Sequence, residues 1–384
     1  MAVRKRTWTT KSDERRMAWI VDYVDQGGDR HIETFARKKD ADAYHAKVNV
    51  DVGAGIHTAP SKSITVAEAA QDWISSVELE GRETTTVAQY RQHSEHIICR
   101  IGSAKLANLT TPGLNKFRDE LLTTMSRAMA RKVMSSLKSL LKDAQRRGNV
   151  AQNVALAVKR IDADKRGEDQ LKVGLHIPAP EEIKAILAAA GPRTKPLLMV
   201  AAFTGLRSSE LRGLRWSDVD LKNGELHVRQ RADRYGVIGK PKSKAGYRTV
   251  PLGPLVLKVL REWKLAGPKG KLGLVFPTPS GDGVALHNNV VRAFTTAMRA
   301  AKLTDADGEA KYTGLHSLRH FFASWLINPP ERGGQGLPPK VVQQRLGHSS
   351  ILMTMDTYGH LFPPEKDAHE KLADAERALL ADAT

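Results

Sequence analysis

Near the C-terminal end of the chain, Tyr358 stands in Thr357-Tyr358-Gly359-His360, downstream of an ordered series of cationic and imidazole residues: Arg207, Lys242, His316, Arg319 and His348. A tyrosine hydroxyl is a poor nucleophile at neutral pH. Opposite a phosphodiester held by two guanidiniums, it can form a covalent phosphate ester that conserves the energy of the broken bond. The combination reads as a site that breaks and remakes DNA phosphodiesters. The sequence shows neither an Asp-Glu metal cluster nor a Walker-type glycine loop. Neither Mg²⁺ nor ATP is implied, so no cofactor is expected: cations of the protein would neutralise the charge that a metal neutralises in nucleases.

These residues need elements to aim them. Arg207 follows Gly205-Leu206, which interrupts the apolar run 197–203 and places the guanidinium at a helix-helix corner. The same arginine could simply pair with Glu210 at i,i+3. His316 and Arg319 are also three apart, on a helix whose buried stripe would be Leu318, Phe321, Phe322, Trp325 and Leu326, which puts both polar heads on one face. A plain hydrogen-bonded helix histidine fits that spacing too. Zinc held by His316 and His320 lacks a third ligand and would meet the Arg319 cation. Lys242 falls in a β region between Pro241 and Ser243, where a turn could carry it over a bound strand, with Lys240 and Lys244 as neighbouring alternatives. Gly347 reads as the glycine closing helix 339–346, and Ser349 or Ser350 as the cap of helix 351–358. His348 is therefore a cap-region residue with a possible structural role, and Tyr358 ends a short helix where a half-buried aromatic is the plainer reading.

The 384 residues exceed the usual size of one domain, and 60 Lys and Arg against 42 Asp and Glu give a net charge of +18, which favours a polyanionic partner. Cys99, the single cysteine, cannot form an intramolecular disulfide. The N-terminus lacks the apolar core of a signal peptide, and no run approaches the roughly 18 apolar residues that span a bilayer. A soluble protein of a reducing cytoplasm is expected.

Three segments follow. Residues 1–60 hold strands around a Gly27-Gly28 turn, a third strand near Trp8, and a helix over 38–50 with Ala41, Ala43, Tyr44 and Val48 as its buried stripe. Residues 61–165 read as a helical bundle. Thr65 and Glu68 form a capping box before Ala69, Trp73 and Ile74, and further helices cover about 84–99, 111–123 and 127–147, with Thr111 as a cap. The last of these helices carries Arg127, Arg131, Lys132, Lys138, Lys142, Arg146 and Arg147, which suits contact with a phosphate backbone. A charged linker over 162–174 leads to residues 175–384, helical with three short strands at 225–229, 240–244 and 247–252.

The motifs Thr204-Gly205-Leu206-Arg207-Ser208-Ser209-Glu210-Leu211, Pro241-Lys242-Ser243-Lys244, His316-Ser317-Leu318-Arg319-His320 and Leu346-Gly347-His348, with Tyr358 after them, resemble in type, order and spacing the tyrosine recombinases of the phage-integrase type. The resemblance in these motifs covers roughly residues 175–370; the earlier part matches in layout. It implies a mainly α fold with small sheets: an arm-type DNA-binding domain (1–60), a helical core-binding domain (61–165) and a catalytic domain with a small three-stranded sheet (175–384). It implies that Tyr358 attacks a scissile phosphate to give a 3′-phosphotyrosine, that Arg207 and Arg319 clamp that phosphate with Glu210 in support, and that Lys242 protonates the departing 5′-oxygen. It makes His316 the acceptor or shuttle of the tyrosyl proton and His348 a donor to a non-bridging oxygen. The implied activity is integration, and excision, of a phage or mobile element in a bacterial cell. The implied partners are core and arm attachment sites, four protomers exchanging strands through a Holliday junction, a host DNA-bending protein and an excisionase. The C-terminal helix over 366–380 would dock on a neighbouring protomer. Two rivals share the residues: a type IB topoisomerase, and a DNA-binding regulator built on a silent recombinase domain.

Overall fold

The computed structural model describes residues 2–10, 15–53, 63–162, 170–362, 372–373 and 376–377. The chain divides into two compact units, Met1–Gly167 and Glu168–Thr384. In the first, β1 (Ala2–Thr9), β2 (Arg15–Val24) and β3 (Arg30–Phe35) form an antiparallel meander. Asp25 pins the β2–β3 turn: its Oδ1 accepts from the backbone N–H of Gly27 and of Asp29, each at 2.9 Å. Alternation along β2 puts Val21 and Tyr23 on one face, and α1 (Lys38–Gly53) covers it with Ala41 and Val48. Ala43 is exposed, contrary to the expected stripe. At 100° per residue the face that begins at Ala41 returns at 44–45 and 48, and position 43 points away.

Four helices of the same unit share a separate core: α2 (Val66–Leu79), α3 (Thr84–Ile101), α4 (Thr111–Thr124) and α5 (Arg127–Arg146). Thr65 caps α2 as expected, its Oγ1 accepting from Glu68 N at 3.2 Å while Glu68 Oε2 accepts from Thr65 N at 2.7 Å. The cap of α4 is Thr110 and not Thr111, because Thr110 Oγ1 accepts from Gly113 N and Thr111 has already entered the helix. Trp73, Phe117, Leu137 and Leu140 fill the centre, each contributing about 1.5–3 kcal/mol by leaving water. On α5, Arg131, Lys132 and Lys142 are exposed, whereas Arg146 and Arg147 are held by Asp143 at 2.8 and 2.9 Å. The outward cations are available to a polyanion; the last two also brace the helix end.

The second unit begins its regular structure with α6 (Pro180–Ala189), α7 (Thr194–Thr204) and α8 (Ser208–Gly213). Short strands β4 (Val219–Asp220), β5 (Glu225–Val228), β6 (Arg231–Ala232), β7 (Ile238–Gly239) and β8 (Arg248–Pro251) follow, then α9 (Pro254–Ala266), α10 (His287–Ala300), α11 (His316–Ile327), α12 (Pro339–Leu346) and α13 (Ile351–Tyr358). The three-stranded sheet runs β4-β5-β8, and β6 pairs with β7 apart from it. The expected strand over 240–244 is absent; Val219–Asp220 takes its place beside β5. Pro241 lacks an N–H for a ladder, and 244–246 winds into a 3₁₀ turn. The large core gathers Leu198, Leu211, Leu226, Leu260, Phe294 and Leu318, while a second cluster joins β8, α11, α12 and α13 through Val250, Phe322, Leu326, Val342, Leu346 and Tyr358. That second cluster positions the site. The segment 366–380 lies, but for four residues, outside the described residues, as does most of the 162–174 linker.

Candidate active site

Three arginines converge on the C-terminal end of α12. The last carbonyls of a helix have no partner within it and carry the negative end of its dipole, so they attract guanidiniums. Arg248 Nε donates to the Arg345 carbonyl (2.8 Å), Arg319 Nη2 to that of Leu346 (2.5 Å) and Arg207 Nη2 to that of Gly347 (3.0 Å). Arg319 Nη1 also donates to the carbonyl of Gly205, where α7 ends (2.7 Å). Gly205 and Gly347 both have left-handed φ, 60° and 66°, and a Cβ at either would collide: 2.3 Å from Phe322 at the first, 2.9 Å from Arg248 Nη1 at the second. These glycines make the corners that the sequence pointed to.

Glu210 is the counter-charge. Its carboxylate accepts from Arg248 Nη2 and Arg207 Nη1, each at 2.8 Å, and from the backbone N–H of Arg207 at 2.8 Å. Burial alone would raise this carboxyl, but Arg248 and then Arg207 outweigh it and hold it at about 2. The i,i+3 pair of Arg207 with Glu210 forms, and the Arg207 side chain stays 35% exposed. Arg319 is 2% exposed. Burial, and the neighbouring Arg207 and Arg248, press it below the usual guanidinium range, and it remains a cation at neutral pH.

Tyr358 ends α13, which Ser350 caps by accepting from Leu352 N. The ring is 1% exposed and belongs to the second hydrophobic cluster. Its hydroxyl lies 2.7 Å from Nδ1 of His320, one turn beyond His316 on α11. His316 itself is exposed, its ring edge-on to that of His320 at 4.6 Å. The ring nitrogen at the tyrosine hydroxyl is thus that of His320 and not of His316. Burial pushes the Tyr358 phenol up to about 12 although Arg319 and Arg207 pull it back. Burial, then His316, Arg319 and His176, push His320 down to about 4. His348 is buried, its ring parallel to that of Tyr358 and its Nδ1 2.9 Å from Thr354 Oγ1; burial and Arg319 hold it also at about 4. Lys242 is exposed in the loop between β7 and β8, which Arg231 Nε anchors by donating to the Lys240 carbonyl at 3.1 Å.

The fold thus gathers Arg207, Arg319, His316, His348 and Tyr358 from α7–α8, α11 and α12–α13, and leaves Lys242 on a loop. Sequence reasoning missed Arg248 and His320. The first had a signal, since it shares a strand face with buried Val250; the second lies one helical turn from His316. Chemically, the arrangement offers a phenol with a neutral imidazole at its proton, beside a preassembled pair of cations suited to a phosphate. Among the described residues no group of acidic, His or Cys side chains could hold a metal ion, and no helix is long and apolar enough to cross a membrane.

Comparison with known proteins gives this helical unit a family. Residues 179–364 match the phage integrase family. The chain is 25% identical over 366 residues to the XerC-like tyrosine recombinase of Caldanaerobacter subterraneus subsp. tengcongensis, covering 88% of this chain and 90% of that one. It is 29% identical over 370 residues to an integrase of Streptomyces ambofaciens, covering 90% of each. Among solved structures, a Tn1549 transposon integrase fragment in complex with transposon right end DNA aligns with a TM-score of 0.64 at 20% identity, over 82% of this chain and all of that one. A lambda integrase dimer bound to a core site aligns at 0.60 and 18% identity, over 94% of this chain and 97% of that one. Over residues 179–364 the chain thus carries a domain of the phage integrase family of tyrosine recombinases.

Proposed function

We propose that Tyr358 is the nucleophile of a site-specific DNA integrase. It attacks a scissile phosphate clamped by Arg207 and Arg319, forming a 3′-phosphotyrosine and releasing a 5′-hydroxyl that attacks the phosphotyrosine of the partner strand. Lys242 is the donor for the departing 5′-oxygen, brought over the site when the strand orders its loop. His316 and His348 flank the phosphate. The observation that carries this reading is the placement of the Tyr358 hydroxyl on His320 within a cluster whose arginines lower the cost of its ionisation. DNA core sites are the substrate, reached by the +18 charge of the chain and the outward cations of α5. We assign residues 1–60 to arm-type sites, 61–165 to core sites and 175–384 to catalysis. Lambda integrase has been solved as a tetramer bound to a Holliday junction, which supports four copies of this chain at work together. A host DNA-bending protein and an excisionase are the accessory partners of this reading. The test is Tyr358→Phe on a nicked duplex selected from a randomised-core pool by covalent capture with the intact protein. The variant binds the duplex and yields no covalent band on a denaturing gel; a persistent band moves the nucleophile elsewhere.

A further inference from the structure

The Tyr358 hydroxyl lies 2.7 Å from Nδ1 of His320, where the tyrosine ring is buried and the imidazole half-buried. Resting on the reading of Tyr358 as nucleophile, we propose that His320 is a catalytic residue: its Nδ1 takes the phenolic proton as the tyrosine oxygen attacks phosphorus, and returns it when the strand is rejoined. The geometry carries this. An acceptor must lie within about 2.6–3.2 Å of the proton it removes, and the Tyr358 oxygen meets that condition at His320. His348, the other imidazole beside the tyrosine, lies with its ring parallel at 6.4 Å and turns Nδ1 to Thr354.

The step balances without a further reagent. The phenol O–H breaks and Nδ1–H forms; the oxygen bonds to phosphorus as the P–O5′ bond breaks, and the departing oxygen takes a proton from the opposite side. In rejoining, the 5′-hydroxyl attacks, the bond from phosphorus to Tyr358 breaks, and the imidazolium reprotonates the phenolate. The charged and titratable groups around His320 are His316 and Arg319 of its own helix, His176 ahead of α6, and Tyr358. Being held near 4, His320 is neutral at physiological pH and able to accept. A bound phosphodiester offsets the charge of Arg319, one of the cations that hold it low, and so raises its basicity when substrate arrives.

The experiment uses the full chain and the captured nicked duplex, reading the first-turnover rate of covalent adduct formation across pH. His320→Asn keeps a hydrogen-bond acceptor near the position of Nδ1 but cannot take a proton. The expected result is duplex binding within about threefold of the parent, adduct formation slower by about 10²-fold or more at pH 7, and a rate that climbs roughly tenfold per pH unit up to about pH 9 while the parent stays flat. A variant that is as fast as the parent, or slow but flat with pH, overturns the proton transfer and leaves His320 as a prop. If His320→Asn does not fold, His320→Gln is read by the same outcomes. Tyr358→Phe runs alongside. An adduct there sinks the nucleophile assignment, whereas a missing adduct there together with a normal His320→Asn sinks this inference alone.

Discussion

The arginine cluster at the end of α12 and the loop that carries Lys242 are built in opposite ways. Arg319, Arg248 and Glu210 are all but sealed from water, tied to main-chain carbonyls and to one another. Lys242 is exposed on the loop between β7 and β8. The buried cations are placed by folding itself, so the phosphate clamp proposed for them would need little reorganisation. On the role proposed for Lys242, a strand that orders the loop would couple protonation of the leaving group to a correctly seated substrate. Removing a part of the first region should therefore cost both stability and rate, and removing a part of the second chiefly rate.

Arg319→Ala is the most severe break of that contrast. Adduct formation should fall by about 10²–10³-fold, and the carbonyls of Gly205 and Leu346 lose their donor, at about 1–3 kcal/mol. Arg319→Lys should rescue neither fully, lacking the planar fork. Paired thermal unfolding and adduct rates check this; a variant that keeps both would show that the cluster is not the clamp.

Glu210→Gln comes next, and it acts mainly on stability. Leaving Arg248 buried against a neutral partner should cost about 3 kcal/mol. The carboxyl is held at about 2 in the fold against an ordinary 4.5. Its contribution is therefore complete above 4.5, shrinks as pH falls below that and is lost near 2. Denaturant melts across that window should be steeper in pH for the parent than for the variant; equal slopes would remove the charge from the argument.

Lys242→Ala should have the smallest structural effect of the three, with slower cleavage. A duplex with sulfur in place of the scissile 5′-oxygen, a leaving group that needs no proton, should restore its rate. Failure of that substrate to help, with Lys240→Ala or Lys244→Ala responding instead, would move the donor along the loop.

The sequence was most readable where chemistry and local grammar coincide. Gly205 and Gly347 announced corners, Ser349 or Ser350 a cap, and Arg207, His316, Arg319, His348 and Tyr358 lie on elements that the fold brings together. It was least readable where a charge is buried by distant partners. Arg248 sits on a strand two residues from Val250, and period-2 alternation placed them on one face, but a cation on an inward face makes sense only once Glu210 and the Arg345 carbonyl are known to wait there. His320 was weighed only as half of a zinc pair, since nothing local says that residue 358 returns to meet residue 320. The strand at Val219–Asp220 is two residues long, too short for any periodicity to reveal.

The carbonyls that hold the arginines carry a consequence for descent. Any residue type supplies a peptide oxygen, so the anchors at 205, 345, 346 and 347 survive nearly every exchange of the side chains that bear them, the two glycines excepted. The mutational target that can misdirect the cations is correspondingly small. A lineage can rewrite the surface around such a site, meeting new hosts and new recognition sequences, while inheriting the aim of its cations from backbone geometry.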